Sequence, residues 1–259
     1  MKITDALEKY LISSNYREES PNKERKFYIS DMGKCMRVRW LKRKGISTEF
    51  SPFVYWTFAM GDMIHDYGYK ALQSQGILLE AEDYVSDDHF IGRFDGIVKD
   101  GNKKAPFDFK SVKPYKMKLL IDGNEEEDNI SQLLTYTLFL QRNRKDIGDA
   151  SYVVYINKEP DDKIQTVFHQ KVYHLTNYNR GKIEEEMKIL TDLWLEDKVP
   201  ACSCVGWERN YNSYLPLCTA KDTEIREYLK YMEAGKKLVS TKEALYLIDG
   251  EVRKEIRRI

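Results

Sequence analysis

Several things are scarce in this sequence, and each scarcity removes a class of function. No apolar run approaches the roughly 20 residues a membrane helix needs, and the mean hydropathy is −0.62; a water-soluble domain with no membrane partner is expected. The start, Met1-Lys2-Ile3-Thr4-Asp5, carries neither a signal-peptide apolar segment nor an Arg- and Ser-rich transit pattern, so the expected compartment is the cytoplasm. Charge of one sign is not in excess. Lys and Arg number 42 against 42 Asp and Glu in 259 residues, which gives no global support to nucleic-acid binding. Cysteine is limited to Cys35, Cys202, Cys204 and Cys218. In a reducing compartment these are not expected as disulfides, which leaves separate buried thiols or a metal centre. Internal repeats and low-complexity segments are absent.

What is present is concentrated in two short runs, Ile91-Gly92-Arg93-Phe94-Asp95-Gly96-Ile97-Val98 and Pro106-Phe107-Asp108-Phe109-Lys110-Ser111-Val112. Both are rich in aromatic and β-branched residues and are separated by Lys99-Asp100-Gly101-Asn102, which predicts a β-hairpin. Side chains alternate across a strand, so Asp108 and Lys110 share one face while Phe107 and Phe109 take the other, toward a core. With Asp95 on the neighbouring strand, two carboxylates can hold a hard divalent cation beside an ammonium. A lone D-x-K also occurs on ordinary solvated strands, so the surrounding motifs matter.

Tyr55–Leu72 has apolar residues at helical spacing. It places His65 one turn after Gly61, whose missing side chain leaves room for a close neighbour such as a metal; a core histidine bonded to a carbonyl is the alternative. Gln132 and Tyr136 are four apart on a helix expected over 126–142, so they share a face. They can touch a phosphate and a sugar or base together, or Tyr136 can lie half-buried against the sheet.

Taken together, His65, Gly92 to Asp95, Asp108 to Lys110 and Gln132 to Tyr136 resemble, in order and spacing, the PD-(D/E)XK nuclease superfamily in its RecB-like exonuclease branch. That branch includes CRISPR-associated RecB-like exonucleases and AddB-type nuclease domains. The resemblance covers about residues 27 to 219, with the family's proline displaced to Pro106. It implies an α/β fold with a restriction-endonuclease-like core, a central mixed sheet flanked by helices, and a helical cysteine-clasped iron–sulfur lobe. It also implies hydrolysis of DNA, preferentially at single-stranded ends. Mg²⁺ or Mn²⁺ would be held by His65, Asp95, Asp108 and the Phe109 carbonyl, with Lys110 orienting or deprotonating the attacking water and Gln132 and Tyr136 positioning the strand. The host would be a prokaryotic or phage-infected cell, and the partners recombination or CRISPR-adaptation proteins. A DNA-binding or assembly subunit without catalysis, and a restriction-type endonuclease, are the alternatives.

One cysteine ahead of the core and three after it resemble that branch's [4Fe–4S] clasp, with Cys35, Cys202, Cys204 and Cys218 as ligands. Cys202-Ser203-Cys204 is tighter than the branch's C-x-x-C, and Cys218 lies further on, so zinc or an empty site remain open. Basic residues cluster at Lys34, Arg37, Arg39, Lys42, Arg43 and Lys44, and again at Lys103, Lys104, Lys110, Lys113, Lys116 and Lys118. Either cluster, with Arg37 and Lys113 as its candidates, can line a phosphate channel or be a solvated face.

Four consecutive segments are expected: an N-terminal helix and mobile linker at 1–26, a helical region at 27–75, the nuclease core at 76–199, and the cysteine cluster with helices at 200–259. Helices are expected at 2–12, 31–44, 53–75, 177–197 and 222–232. Strands are expected at 77–86, 89–99, 104–112, 150–157 and 164–174, and Arg253–Arg258 reads as a basic tail or partner contact.

Overall fold

The computed structural model describes residues 3–15, 25–159, 161–204 and 206–259; most of the linker expected between Asn15 and Arg25 lies outside them. In chain order the elements begin with helix α1 (Ile3–Asn15), strand β1 (Phe27–Tyr28), helix α2 (Met36–Arg43), strand β2 (Ser47–Thr48) and helix α3 (Pro52–Ser74). Strands β3 (Leu78–Ser86), β4 (Phe90–Asp100) and β5 (Lys103–Val112) follow, then helices α4 (Pro114–Ile121) and α5 (Glu127–Asn143). Next come strands β6 (Ala150–Asn157) and β7 (Phe168–His174), helix α6 (Asn177–Leu195) and the short helices α7 (Gly206–Tyr211) and α8 (Leu215–Cys218). Helix α9 (Asp222–Glu233) and strands β8 (Lys237–Ser240), β9 (Ala244–Asp249) and β10 (Val252–Arg258) complete the chain. No described helix is long and apolar enough to cross a membrane.

The chain forms two units that interleave along the sequence. The first takes in α1, Tyr28–Gly33 and Tyr55–Met187; the second takes in 25–27, 34–54 and 188–259.

In the first unit β3 to β7 lie side by side in a mixed sheet: β3, β4 and β5 are antiparallel, β5 and β6 parallel, β6 and β7 antiparallel. Helices flank it, giving the mixed α/β architecture expected from sequence. The hairpin closes through Gly101-Asn102, with Asp100 paired to Lys103; Gly101 sits at φ +59°, the left-handed conformation that two-residue hairpin turns require. The expected alternation holds on β5. Phe107 and Phe109 pack with Tyr152 and Val154 against Ile64, Tyr69 and Leu72 of α3. On the other face Val112, Val153 and Tyr155 pack with Met117 and Leu120 of α4 and Leu133 of α5. The parallel pair β5–β6 is linked by these two helices, as a parallel crossover demands.

The second unit adds a sheet to the helices expected of the cysteine lobe. It contains a four-stranded sheet in the order β10-β9-β8-β2, with β2 parallel to β8 and the remaining pairs antiparallel. Arg253–Arg258 is therefore an edge strand rather than a tail. Its charged side chains are what an exposed edge carries to resist pairing with other chains, and the same charges conceal its strand character in the sequence. The core of this unit gathers Trp40, Leu41, Ile46, Leu217, Ile225, Leu238, Leu245 and the cysteines.

Candidate active site

Four elements of the first unit carry the expected residues: His65 on α3, Asp95 on β4, Asp108 to Lys110 on β5, and Gln132 and Tyr136 on α5. Ladder pairing between β4 and β5 extends only to Gly96 and Phe107. Beyond it the Asp95 carboxylate takes over, Oδ2 accepting the Phe109 backbone N–H at 2.7 Å. The same oxygen stands 3.7 Å from His65 Nδ1, and the His65 ring lies against the Phe109 ring with centroids 5.7 Å apart.

Asp108 belongs to a second group. Lys110 Nζ is 2.7 Å from its Oδ2. Gln132 bridges the two, donating through Nε2 to Asp108 Oδ1 and accepting from Lys110 Nζ through Oε1, both at 3.1 Å. Buried Asp108 Oδ2 nevertheless has no donor aligned on it for a directional hydrogen bond; the Lys110 contact is an ion pair by distance alone. The residues thus assemble as a His65–Asp95 pair and an Asp108–Lys110–Gln132 cluster. Among the described residues, His65, Asp95 and Asp108 do not close into one tight ligand set.

Burial sets the electrostatics. Desolvation, reinforced by the charge of Asp108, pushes the Asp95 carboxyl up to about 8, against the Phe109 N–H that favours its ionised form. Desolvation also holds His65 below its ordinary value. For Lys110 burial opposes the charge most strongly, yet the Asp108 carboxylate prevails and the pKa is raised. Two carboxyls crowded beside one ammonium are an arrangement a divalent cation relieves. The donor set, oxygen and imidazole, fits a hard cation.

The glycines show which close approaches matter. Gly61 has no protein atom within 4 Å of where a Cβ would stand. Gly92, the glycine of the G-x-x-D run, is the tight position: a Cβ there would lie 2.6 Å from the Tyr136 ring. Tyr136 is 1% exposed and packs edge-on against Phe94. Its hydroxyl and the Gln132 side chain are turned into the protein, so in this structure neither offers its polar atoms to a strand of DNA.

The three arginines of the first basic cluster are buried, whereas Lys34 is exposed and Lys42 and Lys44 are half-buried. Arg37 donates through Nε to the Pro200 carbonyl at 2.6 Å, through Nη1 to the carbonyls of Cys218 at 3.3 Å and Ala220 at 2.9 Å, and through Nη2 to Asp222 at 2.7 Å. Arg39 is buried, and Arg43 lies over the rings of Phe27 and Trp194, 4.4 and 4.1 Å from their centroids. In the second cluster Lys104 pairs with Asp146 and Lys103 caps the Lys145 carbonyl. Lys113, next to β5, remains exposed.

In the second unit the Sγ atoms of Cys35, Cys202, Cys204 and Cys218 all lie within 4.8 Å of one another, so the four-cysteine group exists as a possible metal site. Ser203 N–H points at Cys35 Sγ at 3.4 Å. Asn212, which sequence reasoning missed, donates to Cys204 Sγ at 3.2 Å and Cys218 Sγ at 3.3 Å. A hydrogen bond from Cys218 favours the Cys35 thiolate and brings it to about 3, while burial foremost pushes Cys204 up to about 12. One thiol ionises readily beside neighbours that resist it, so a full set of thiolates needs a cation to form.

Neither a protein-family model nor a curated protein sequence matches the chain. Among solved structures, the alkaline exonuclease LHK-Exo from Laribacter hongkongensis is similar at a TM-score of 0.44 and 12% identity, covering 73% of this chain and 93% of that one. LHK-Exo in complex with dAMP is similar at a TM-score of 0.44 and 13% identity, covering 66% of this chain and 89% of that one.

Proposed function

We propose that the chain is a divalent-metal-dependent deoxyribonuclease. The observation that carries this reading is the Asp108–Lys110 pair on β5, its carboxylate buried and its ammonium half-buried, with the Asp95 carboxylate pinned beside it on the Phe109 amide. His65, Asp95, Asp108 and the Phe109 carbonyl would hold Mg²⁺ or Mn²⁺, which when bound supplies Lewis-acid stabilisation of charge on the scissile phosphate. Lys110, kept protonated by Asp108, stands ready to orient the attacking water or to meet developing negative charge. Gln132 holds Lys110 and Asp108 in register, a task for which its amide offers one donor and one acceptor. Exposed Lys113 is placed for a phosphate contact.

By the RecB-like resemblance the substrate is a single-stranded DNA end, the setting is the cytoplasm of a prokaryotic or phage-infected cell, and the partners are recombination or CRISPR-adaptation proteins. The cysteine group holds a metal in this reading, and the same resemblance implies a [4Fe–4S] cluster there.

The test uses end-labelled single-stranded, duplex and circular DNA with Mg²⁺, Mn²⁺ or EDTA. Cleavage of linear single strands only with a divalent cation is expected. Wild-type cleavage by Asp108→Ala protein would end the proposal, and resistance of all linear DNA would leave the fold without its enzyme.

A further inference from the structure

The spacing of the four sulfurs bears on what they hold. A zinc–thiolate bond of about 2.3 Å sets the sulfurs of a tetrahedral site roughly 3.8 Å apart. Cys204 Sγ and Cys218 Sγ are 3.9 Å apart, and no pair among the four exceeds 4.8 Å. A four-iron cube binds each thiolate through a separate iron at a separate corner, with the cube between them, and so spreads its ligands wider than one ion does. The single residue between Cys202 and Cys204 acts in the same direction, because it keeps two ligands close. Three of the four cysteines are buried inside a packed core with Trp40, Leu217 and Leu245, where widening the site would mean moving side chains that already touch.

Four thiolates around one divalent ion carry net negative charge into that core, and the surroundings answer it. Asn212 aims its amide nitrogen at two sulfurs at once. Its orientation is set from behind: the Tyr214 N–H donates to Asn212 Oδ1 at 2.8 Å, and the Tyr214 hydroxyl is anchored on the Ile46 carbonyl at 3.0 Å. The flipped amide would face an oxygen toward the thiolates and lose the Tyr214 bond. Ser203 supplies a third N–H, to Cys35. The Arg37 guanidinium ties the carbonyls of Pro200, Cys218 and Ala220, bracing both later ligand segments from the helix that Cys35 begins.

We propose that Cys35, Cys202, Cys204 and Cys218 hold one tetrahedral ion of the zinc class, with Asn212 as the positioning residue that donates to its sulfur ligands. The inference rests on the reading that the cysteine group holds a metal, and it is independent of the nuclease reading.

The test is made on the full chain, expressed with both iron and zinc supplied and purified without oxygen, by counting metals per chain. About one zinc and no colour are expected, and replacing zinc by Co²⁺ should give the intense visible bands of tetrahedral thiolate coordination. A brown protein with about four irons would overturn the single-ion site, and four freely titrating thiols with no metal would overturn both it and the underlying reading. For Asn212, Asn212→Ala and the isosteric Asn212→Asp should each surrender zinc to a chromophoric chelator about tenfold more readily, the scale on which partners of metal ligands act, and should shift the Co²⁺ bands. A side chain that only packs would be replaced silently by aspartate, so wild-type retention and spectrum in Asn212→Asp would remove the positioning role. Asp108→Asn protein should keep its zinc, which separates this outcome from any failure of the nuclease.

Discussion

The two units each build a polar centre, and they solve opposite problems. In the first, hard oxygen and nitrogen donors sit on regular elements, with β5 delivering Asp108 and Lys110 by strand alternation and α3 delivering His65. The centre is partly accessible; the Lys110 side chain is 25% exposed. In the second, soft sulfur donors come from the start of α2 (Cys35), the end of the short α8 (Cys218) and the irregular segment carrying Cys202 and Cys204, and are closed inside an apolar core. Regular elements position a group by backbone period and leave a face for a ligand to approach. Irregular segments position a group only when something binds them together, and here arginine, asparagine and the sulfurs themselves do so. Access suits turnover, and enclosure suits a structural ion.

The largest expected effect breaks the first centre and spares the second. Asp108→Asn or Lys110→Ala should lower DNA cleavage by about 10³-fold, within the range for a positioned acid–base or charge-stabilising group, with metal content at the cysteines unchanged by elemental analysis. Next, Cys218→Ala should break the second centre, emptying it and lowering stability by about 4 kcal/mol, as loss of a structural metal does; denaturant melts would measure this, and the folded fraction should still cut DNA.

A third outcome sharpens the contrast through pH. With the folded Asp95 carboxyl at about 8 against its ordinary 3.8, the folded chain retains a proton that the unfolded chain releases. Metal-free stability contributed by this group is therefore full below about pH 4 and declines as pH rises toward 8, by no more than about 1.4 kcal/mol per pH unit. Thermal melts in EDTA should show this slope, Asp95→Asn should flatten it, and saturating Mg²⁺ should reduce it by binding the ionised form. The smallest effect is expected from Tyr136→Phe. It loses one buried hydroxyl, costing about 1 kcal/mol, with KM for DNA near wild type; a raised KM would restore Tyr136 as a contact to the strand.

Much of the first centre was legible in the sequence because strand period is a local property. The face shared by Asp108 and Lys110, the opposite face of Phe107 and Phe109, and the hairpin all followed from spacing alone. What Gln132 and Tyr136 do was not legible, since helical spacing shows only that they share a face, and the inward turn of Tyr136 depends on the space left by Gly92 on a distant strand. Arg37 and Arg43 misled for a related reason: a basic run has the same appearance whether its guanidiniums meet phosphate, carbonyls or aromatic rings. Strand β10 was hidden by its own charged edge. Asn212 carried no signal at all, because an asparagine becomes a donor to sulfur only when a turn brings it there.

The cysteine site has a consequence for how the protein is made. Its first cysteine, Cys35, is translated before strands β3 to β7, while its last, Cys218, follows all of them. During synthesis the first unit can therefore complete its core and become resistant to unfolding while Cys35 still waits, reduced and without partners. If the four cysteines hold a metal as proposed, its uptake has to wait until Cys218 has been made, and the interval before then is when the Cys35 thiol is most open to oxidation.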